Sequence, residues 1–171
     1  ADGTDDVLFA PYVTVKTDAN GKKTYYLFPN NQGGGRTTMI AKSDRPDGPF
    51  EVCNWSKERP TETYGCLGFD PAVFVDDDGK VYGYWGFGMS NGAELDPETM
   101  CSVKPGTKVV ENMISGYKQE GIFRFFEASS IRKIEDKYVY IYSRTTFPGE
   151  FGLDNPSNYT LAYAYSDNPL G

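Results

Sequence analysis

Phe69-Asp-Pro-Ala-Val-Phe-Val-Asp-Asp-Asp-Gly-Lys-Val-Tyr-Gly-Tyr-Trp85 places two short apolar runs on either side of one acidic turn. Residues 71–75 and 80–84 are rich in β-branched and aromatic side chains, and Asp78-Gly79 between them is a favoured tight-turn pair. The stretch therefore reads as an antiparallel hairpin. The same grammar appears twice more, in Asp18-Ala-Asn-Gly-Lys-Lys-Thr-Tyr-Tyr-Leu-Phe28 and in Glu135-Asp-Lys-Tyr-Val-Tyr-Ile-Tyr-Ser143. Lys22, Lys80 and Lys137 stand at equivalent points, 58 and 57 residues apart. A second repeat keeps nearly the same period: Ser43-Asp-Arg-Pro-Asp-Gly48 returns as Ser166-Asp-Asn-Pro-Leu-Gly171, 123 residues later. Further strands are expected at Thr38-Met-Ile-Ala41 and Leu161-Ala-Tyr-Ala-Tyr165. No window holds a long helical period, because Gly and Pro interrupt the chain too often.

Such repeats of about 58 residues, each a run of antiparallel strands, predict an all-β chain built of β-propeller blades. Closed propellers have typically about 4–8 blades. The 171 residues hold only three repeats, so they are expected to form one partial propeller domain, with approximate blades 1–60, 61–118 and 119–171. The final Ser-Asp-Asn-Pro-Leu-Gly stops short of the Pro-Phe that follows its earlier copy, which places the break inside a motif. Three blades leave two open sheet edges, which invite an edge-paired oligomer.

Composition narrows the chemistry. Lys and Arg number 17 against 24 Asp and Glu, a net charge of −7, so nucleic acid is not an expected partner. No apolar run approaches membrane-spanning length. Aromatic residues make up 15% of the chain, and 19 Gly and 11 Pro punctuate it. The absence of histidine excludes imidazole bases, imidazole zinc sites and Ser-His-Asp triads within the chain. The three cysteines are compatible with one Cys53–Cys66 bridge or with three unrelated thiols. Asp76-Asp77-Asp78 reads as a solvated hairpin turn, because the later ligands of a calcium loop are missing. Gly33-Gly34-Gly35 lacks the Lys-Ser/Thr of a phosphate loop. Asn54-Trp-Ser56 and Asn158-Tyr-Thr160 fit the glycosylation pattern.

Carboxylates are then the available acids and bases. Most lie in turns; two do not. Asp70 precedes an apolar strand, and Pro71 holds it out of helical geometry. Glu127 interrupts Ile122-Phe-Arg-Phe-Phe-Glu-Ala-Ser-Ser-Ile131, where burial should raise its pKa, as a general acid requires. A plainer reading turns Glu127 outward or pairs it with Arg124 or Arg132, and makes Asp70 a turn aspartate. The two are 57 residues apart, one repeat, so they should occupy related places on neighbouring blades near one axis.

The run from Phe69 to Gly86 resembles the central blade of glycoside hydrolase family 43. Phe126-Glu-Ala-Ser-Ser130, followed by Lys137-Tyr-Val-Tyr-Ile-Tyr-Ser143, resembles that family's next blade. Leu8-Phe-Ala-Pro11 resembles its Trp-Ala-Pro-Asp segment. The resemblance implies a five-bladed β-propeller and an inverting hydrolase of β-xylosyl or α-L-arabinofuranosyl linkages in plant polysaccharide. It implies that Glu127 is the general acid and Asp70 the residue that tunes and orients it. The base Asp belongs before the Ala-Pro segment; Asp2, Asp5 and Asp6 stand there without the Asp-Pro strand context, so the 171 residues alone are expected to be inactive. Phe9 replaces the usual Trp and is expected to wall the sugar pocket, while Tyr12 replaces an Asp on the substrate side. No cofactor is required, and no metal is assigned within the chain. The family allows a structural calcium in a full-length parent, and its substrates imply secretion or a periplasmic location. The alternative is a propeller that binds carbohydrate without cleaving it.

Overall fold

The computed structural model describes residues 8–31, 37–158 and 160–171. Residues Asp2, Asp5, Asp6 and the Gly33-Gly34-Gly35 run lie outside the described residues, as does Tyr159 of the second glycosylation pattern. Three antiparallel sheets follow one another along the chain. The first contains β1 (Leu8–Thr17), β2 (Lys23–Asn31), β3 (Ala41–Ser43) and β4 (Glu51–Val52), in that order. The second contains β5 (Ala72–Val75), β6 (Val81–Trp85), β7 (Asn91–Leu95) and β8 (Val110–Glu111). The third has β9 (Phe125–Ile134), β10 (Lys137–Arg144) and β11 (Thr160–Ser166). One short 3-10 turn, Glu150–Gly152, is the helical element among the described residues, so no described helix is long enough to cross a membrane. The architecture is all-β, and its three sheets form part of a propeller.

Period-2 alternation fixes how the sheets stack. In β6, Val81 and Trp85 enter a core with Phe28, Ile40 and Leu95, while Tyr82 and Tyr84 enter a second core with Phe125, Tyr140 and Tyr142. In β5, Val73 joins the first core and Ala72 the second. The middle sheet is thus buried on both faces. Gly83 on β6 is required by close approach: a Cβ there would lie 2.6 Å from Leu67 and 2.9 Å from Leu95. The outer sheets bury one face each. Val13 and Val15 on β1 are exposed at one end of the stack, and Ile141, Leu161 and Tyr163 on β10 and β11 at the other.

The first strand of each sheet faces a common centre. β1 packs along β5, and β5 along β9. Thr14 donates its hydroxyl to the Val73 carbonyl, and Lys16 Nζ reaches the Pro97 carbonyl at 2.6 Å. Arg132 donates to the Tyr12 hydroxyl, which also lies 3.5 Å from Ser130 Oγ.

Two sequence expectations are corrected. The strand at residues 38–41 starts later, at Ala41, because the buried Asn54 amide replaces the ladder there. Its Oδ1 accepts the Ile40 N–H at 2.9 Å, and its Nδ2 donates to the carbonyls of Thr38 and Tyr64 at 2.6 Å each. With that amide enclosed and 1% exposed, Asn54 is not a glycosylation acceptor in the fold. The acidic turn is not simply solvated either: Asp76 is buried and clamps the second sheet to the third. Its carboxylate accepts from Lys133 Nζ at 3.2 Å, from the Tyr138 hydroxyl, and from the Asp77 N–H at 2.8 Å. The three cysteines are free thiols.

Burial alone would push the Asp76 carboxyl up, but Tyr138, the Asp77 amide and Lys133 together hold it below its ordinary 3.8. A group held down in the fold stabilises above its unfolded value and loses that contribution as pH falls through its folded value. Wild-type urea stability should therefore fall as pH drops below 3.8, and Asp76→Asn should flatten that part of the curve. Tyr138→Phe should cost about 1.5–3 kcal/mol at neutral pH, the usual range for a hydrogen bond to a charged group, read by the urea midpoint.

Candidate active site

Asp70 sits immediately before β5 with φ 50, in the left-handed region that asparagine and aspartate tolerate better than most residues. Pro71 disfavours a right-handed helical conformation at that position. The carboxyl is buried, 7% exposed. Asn30 Nδ2, from the end of β2, donates to its Oδ1 at 2.5 Å, and the Ala128 N–H of β9 donates to the same carboxylate. Burial raises the Asp70 pKa, opposed by those two donors. Three sheets therefore meet at one carboxylate: its own, the first through Asn30 and the third through Ala128.

Glu127 lies near the start of β9, where the register with β10 shifts between Ile141 and Ser143. Ala128 at this irregularity has φ 55. Such irregularities bend a strand and re-aim its side chains. Glu127 is half-buried, and its pKa is raised, first by burial and then by the negative charge of Asp70. Neither arginine considered from the sequence pairs with it. Arg124 donates to the carbonyls of Thr145 and Thr146, and Arg132 to Tyr12, Ser130 and the Ile131 carbonyl. The acid that feels Asp70 has no cation beside it among the described residues.

Phe9 is exposed at the start of β1 and pairs across the ladder with Asn30, so it belongs to the same end of the sheets as Asp70. Tyr12 is placed differently. Its ring packs against both cores, and its hydroxyl is taken up by Arg132 and Ser130 of the third sheet. The structure thus brings Phe9, Asp70 and Glu127 to one end and gives Tyr12 an inter-sheet contact.

Residues not singled out from the sequence complete the site. A recess of about 360 Å³ lies beside Asp70, lined by Asn30, Asn31, Thr37, Gly68 and Phe69. Asn30 and Asn31 could have been noticed as a polar pair ending an aromatic strand; both are almost fully buried. A more apolar cavity of about 230 Å³, between Met113, Phe123, Ile131 and Pro169, holds no carboxylate and lies apart from this pair. Among the described residues no three His, Cys, Asp or Glu side chains converge as metal ligands.

With this geometry in place, comparison with known proteins is specific. Residues 2–171 match Glycosyl hydrolases family 43. The chain belongs to glycoside hydrolase family 43. The arabinoxylan arabinofuranohydrolase of Bacillus subtilis is 33% identical over 173 residues, covering 95% of this chain and 33% of that protein. A β-xylosidase of Xylanibacter ruminicola is 29% identical over 164 residues, covering 77% of this chain and 45% of that one. The crystal structure of the Bacillus subtilis arabinofuranohydrolase, in complex with cellotetraose, superposes with a TM-score of 0.64 at 28% identity, over 96% of this chain and 35% of that one. The chain spans about a third of the length of the curated arabinofuranohydrolase it matches.

Two titrations test the coupling. Asp70→Asn removes the like charge and should lower the Glu127 pKa, seen by carboxyl-carbon NMR. Asn30→Ala removes a donor that favours ionised Asp70 and should raise the Asp70 pKa further by the same readout.

Proposed function

We propose that the protein hydrolyses α-L-arabinofuranosyl or β-D-xylosyl linkages of plant polysaccharide by an inverting acid/base mechanism. The observation that carries this reading is the pair itself: a half-buried Glu127 without a cation, raised by burial and by Asp70. A carboxyl group whose pKa is raised keeps its proton to higher pH than an ordinary carboxyl and can donate it to a departing glycosidic oxygen. Glu127 is that acid. Asp70, fixed by Asn30 and Ala128, is the positioning and tuning residue: its charge holds the proton on Glu127 until the leaving oxygen takes it.

Inversion needs a second carboxylate on the far face of the sugar, about 6.5–9.5 Å from the acid, to activate water. We assign that base to an aspartate outside the 171-residue chain. Phe9 and the recess beside Asn30 and Thr37 would border the sugar, and a polysaccharide substrate argues for a secreted or periplasmic setting. The alternative, binding without cleavage, draws on Tyr12, which stands where the family carries an Asp and whose hydroxyl is committed to Arg132 and Ser130.

Aryl α-L-arabinofuranoside and aryl β-D-xyloside hydrolysis, by the 171-residue chain and by a longer form carrying further blades, tests the reading. Glu127→Gln should lower kcat in the active form by about 10²–10⁴-fold. The loss should be smaller for aryl leaving groups that depart without protonation. Because only protonated Glu127 works, activity should fall as pH rises through its pKa, and Asp70→Asn should move that limb to lower pH. Saccharide binding by the longer form without turnover would overturn hydrolysis in favour of the binding alternative.

A further inference from the structure

The residues immediately before the two carboxylates are both aromatic, and a third ring joins them. Phe87 lies with its centroid 5.2 Å from Phe69 and 5.0 Å from Phe126. The ring planes meet at 65° and 60°, the tilted geometry that aromatic pairs prefer. Tyr117 continues the row, 5.5 Å from Phe126. Phe69, Phe126 and Tyr117 are half-buried, whereas Phe87 is 54% exposed.

A single exposed phenylalanine needs no explanation. Phe87 differs because its backbone is fixed to both acid-bearing segments. The N–H of Gly86 donates to the Phe69 carbonyl at 2.8 Å, and that of Gly88 to the Phe126 carbonyl at 2.6 Å. The loop between β6 and β7 has no slack. A Cβ at Gly86, where φ is 146, would stand 1.8 Å from the Met89 carbonyl oxygen; one at Gly116 would stand 1.9 Å from that of Gly88. An apolar ring is therefore held in water, at a set distance from Asp70 and Glu127, by the segments that present them. Phe69 also lines the recess beside Asn30, so recess and ring row form one continuous surface.

We propose that Phe87, backed by Phe69 and Phe126, is a stacking ledge for a pyranose ring of the polysaccharide chain next to the sugar whose bond is cleaved. A pyranose with equatorial hydroxyls, as in a β-linked xylose chain, offers a face of C–H groups. Those groups meet the negative face of an aromatic ring, while the hydroxyls stay in water at the rim. The ledge carries no charge, so it reads the ring's apolar face and leaves orientation to the polar groups of the recess. The inference rests on Asp70 and Glu127 being the reacting end of a sugar site.

Xylotetraose binding to the 171-residue chain by calorimetry is the test, with arabinose as the short probe. Phe87→Ala should weaken xylotetraose binding about tenfold, while Phe87→Trp keeps it within about threefold. Arabinose binding should be unchanged by either. Since more than half of Phe87 is exposed and it belongs to neither buried core, Phe87→Ala should still unfold in one cooperative transition. Saturation transfer from aromatic protons to xylose C–H groups in the wild type gives a readout that needs no variant to fold. Xylotetraose affinity that is absent in the wild type, or equal in wild type and Phe87→Ala, would overturn the ledge. The two readings fail separately. Turnover lost in Glu127→Gln, with an unchanged xylotetraose Kd in Phe87→Ala, removes the ledge and keeps the hydrolase. Phe87-dependent binding without turnover keeps the ledge and removes the hydrolase.

Discussion

The burial of both faces of the middle sheet is the constraint on which the rest of the structure depends. Strand β6 alternates Val81, Gly83 and Trp85 toward the first sheet with Tyr82 and Tyr84 toward the third, and all five residues are buried. A one-residue slip in register would exchange the two sets. The aromatic side would then meet the space that only Gly83 can fit between Leu67 and Leu95. This fixed register sets where β5 begins, and so where Asp70 stands relative to β9.

Two buried aspartates bracket strand β5 and shift in opposite directions. Asp76 is reached by an ammonium, a phenol and an amide, and is held below its ordinary value. Asp70 is reached by two neutral donors, and burial prevails. The difference is the donor set: the Tyr138 hydroxyl first, then the Asp77 amide and Lys133, outweigh burial at Asp76. Tyr138 and Lys133 make Asp76 a clamp between sheets, whereas Asp70 and Glu127 have no cation beside them among the described residues. Their raised values mean that the folded state holds their protons more tightly than the unfolded chain, so ionising them works against the fold. The left-handed backbones of Asp70 and Ala128 add local strain at the same place.

Much of the architecture was legible because it is written in short-range pattern. The Asp78-Gly79 turn, the two-residue alternation and the period near 58 residues are local signals, and the hairpins form where they indicate. The prominence of Asp70 and Glu127 was legible too, because each carboxyl interrupts an apolar run. What could not be read depends on contacts between distant residues. Asn54 ends the strand expected at residue 38 by bonding residues 10–16 positions away, and Asp76 finds Lys133 and Tyr138 on the next sheet. Asn30 reaches Asp70 only once the sheets stack, and its one local mark is the polar pair it makes with Asn31 at the end of an aromatic strand.

The hydrogen bond from the Ala128 amide to the Asp70 carboxylate has a mechanical meaning. It spans the second and third sheets, and it is attached at both ends to backbone bent out of the usual β conformation. Its length is set by how the two sheets lie against each other, and Tyr84 packs on Tyr140 between the same two sheets. Because that amide is one of the two donors that oppose the rise in the Asp70 pKa, and Asp70 in turn raises that of Glu127, the seating of one sheet on the next bears on the acidity of both carboxyls.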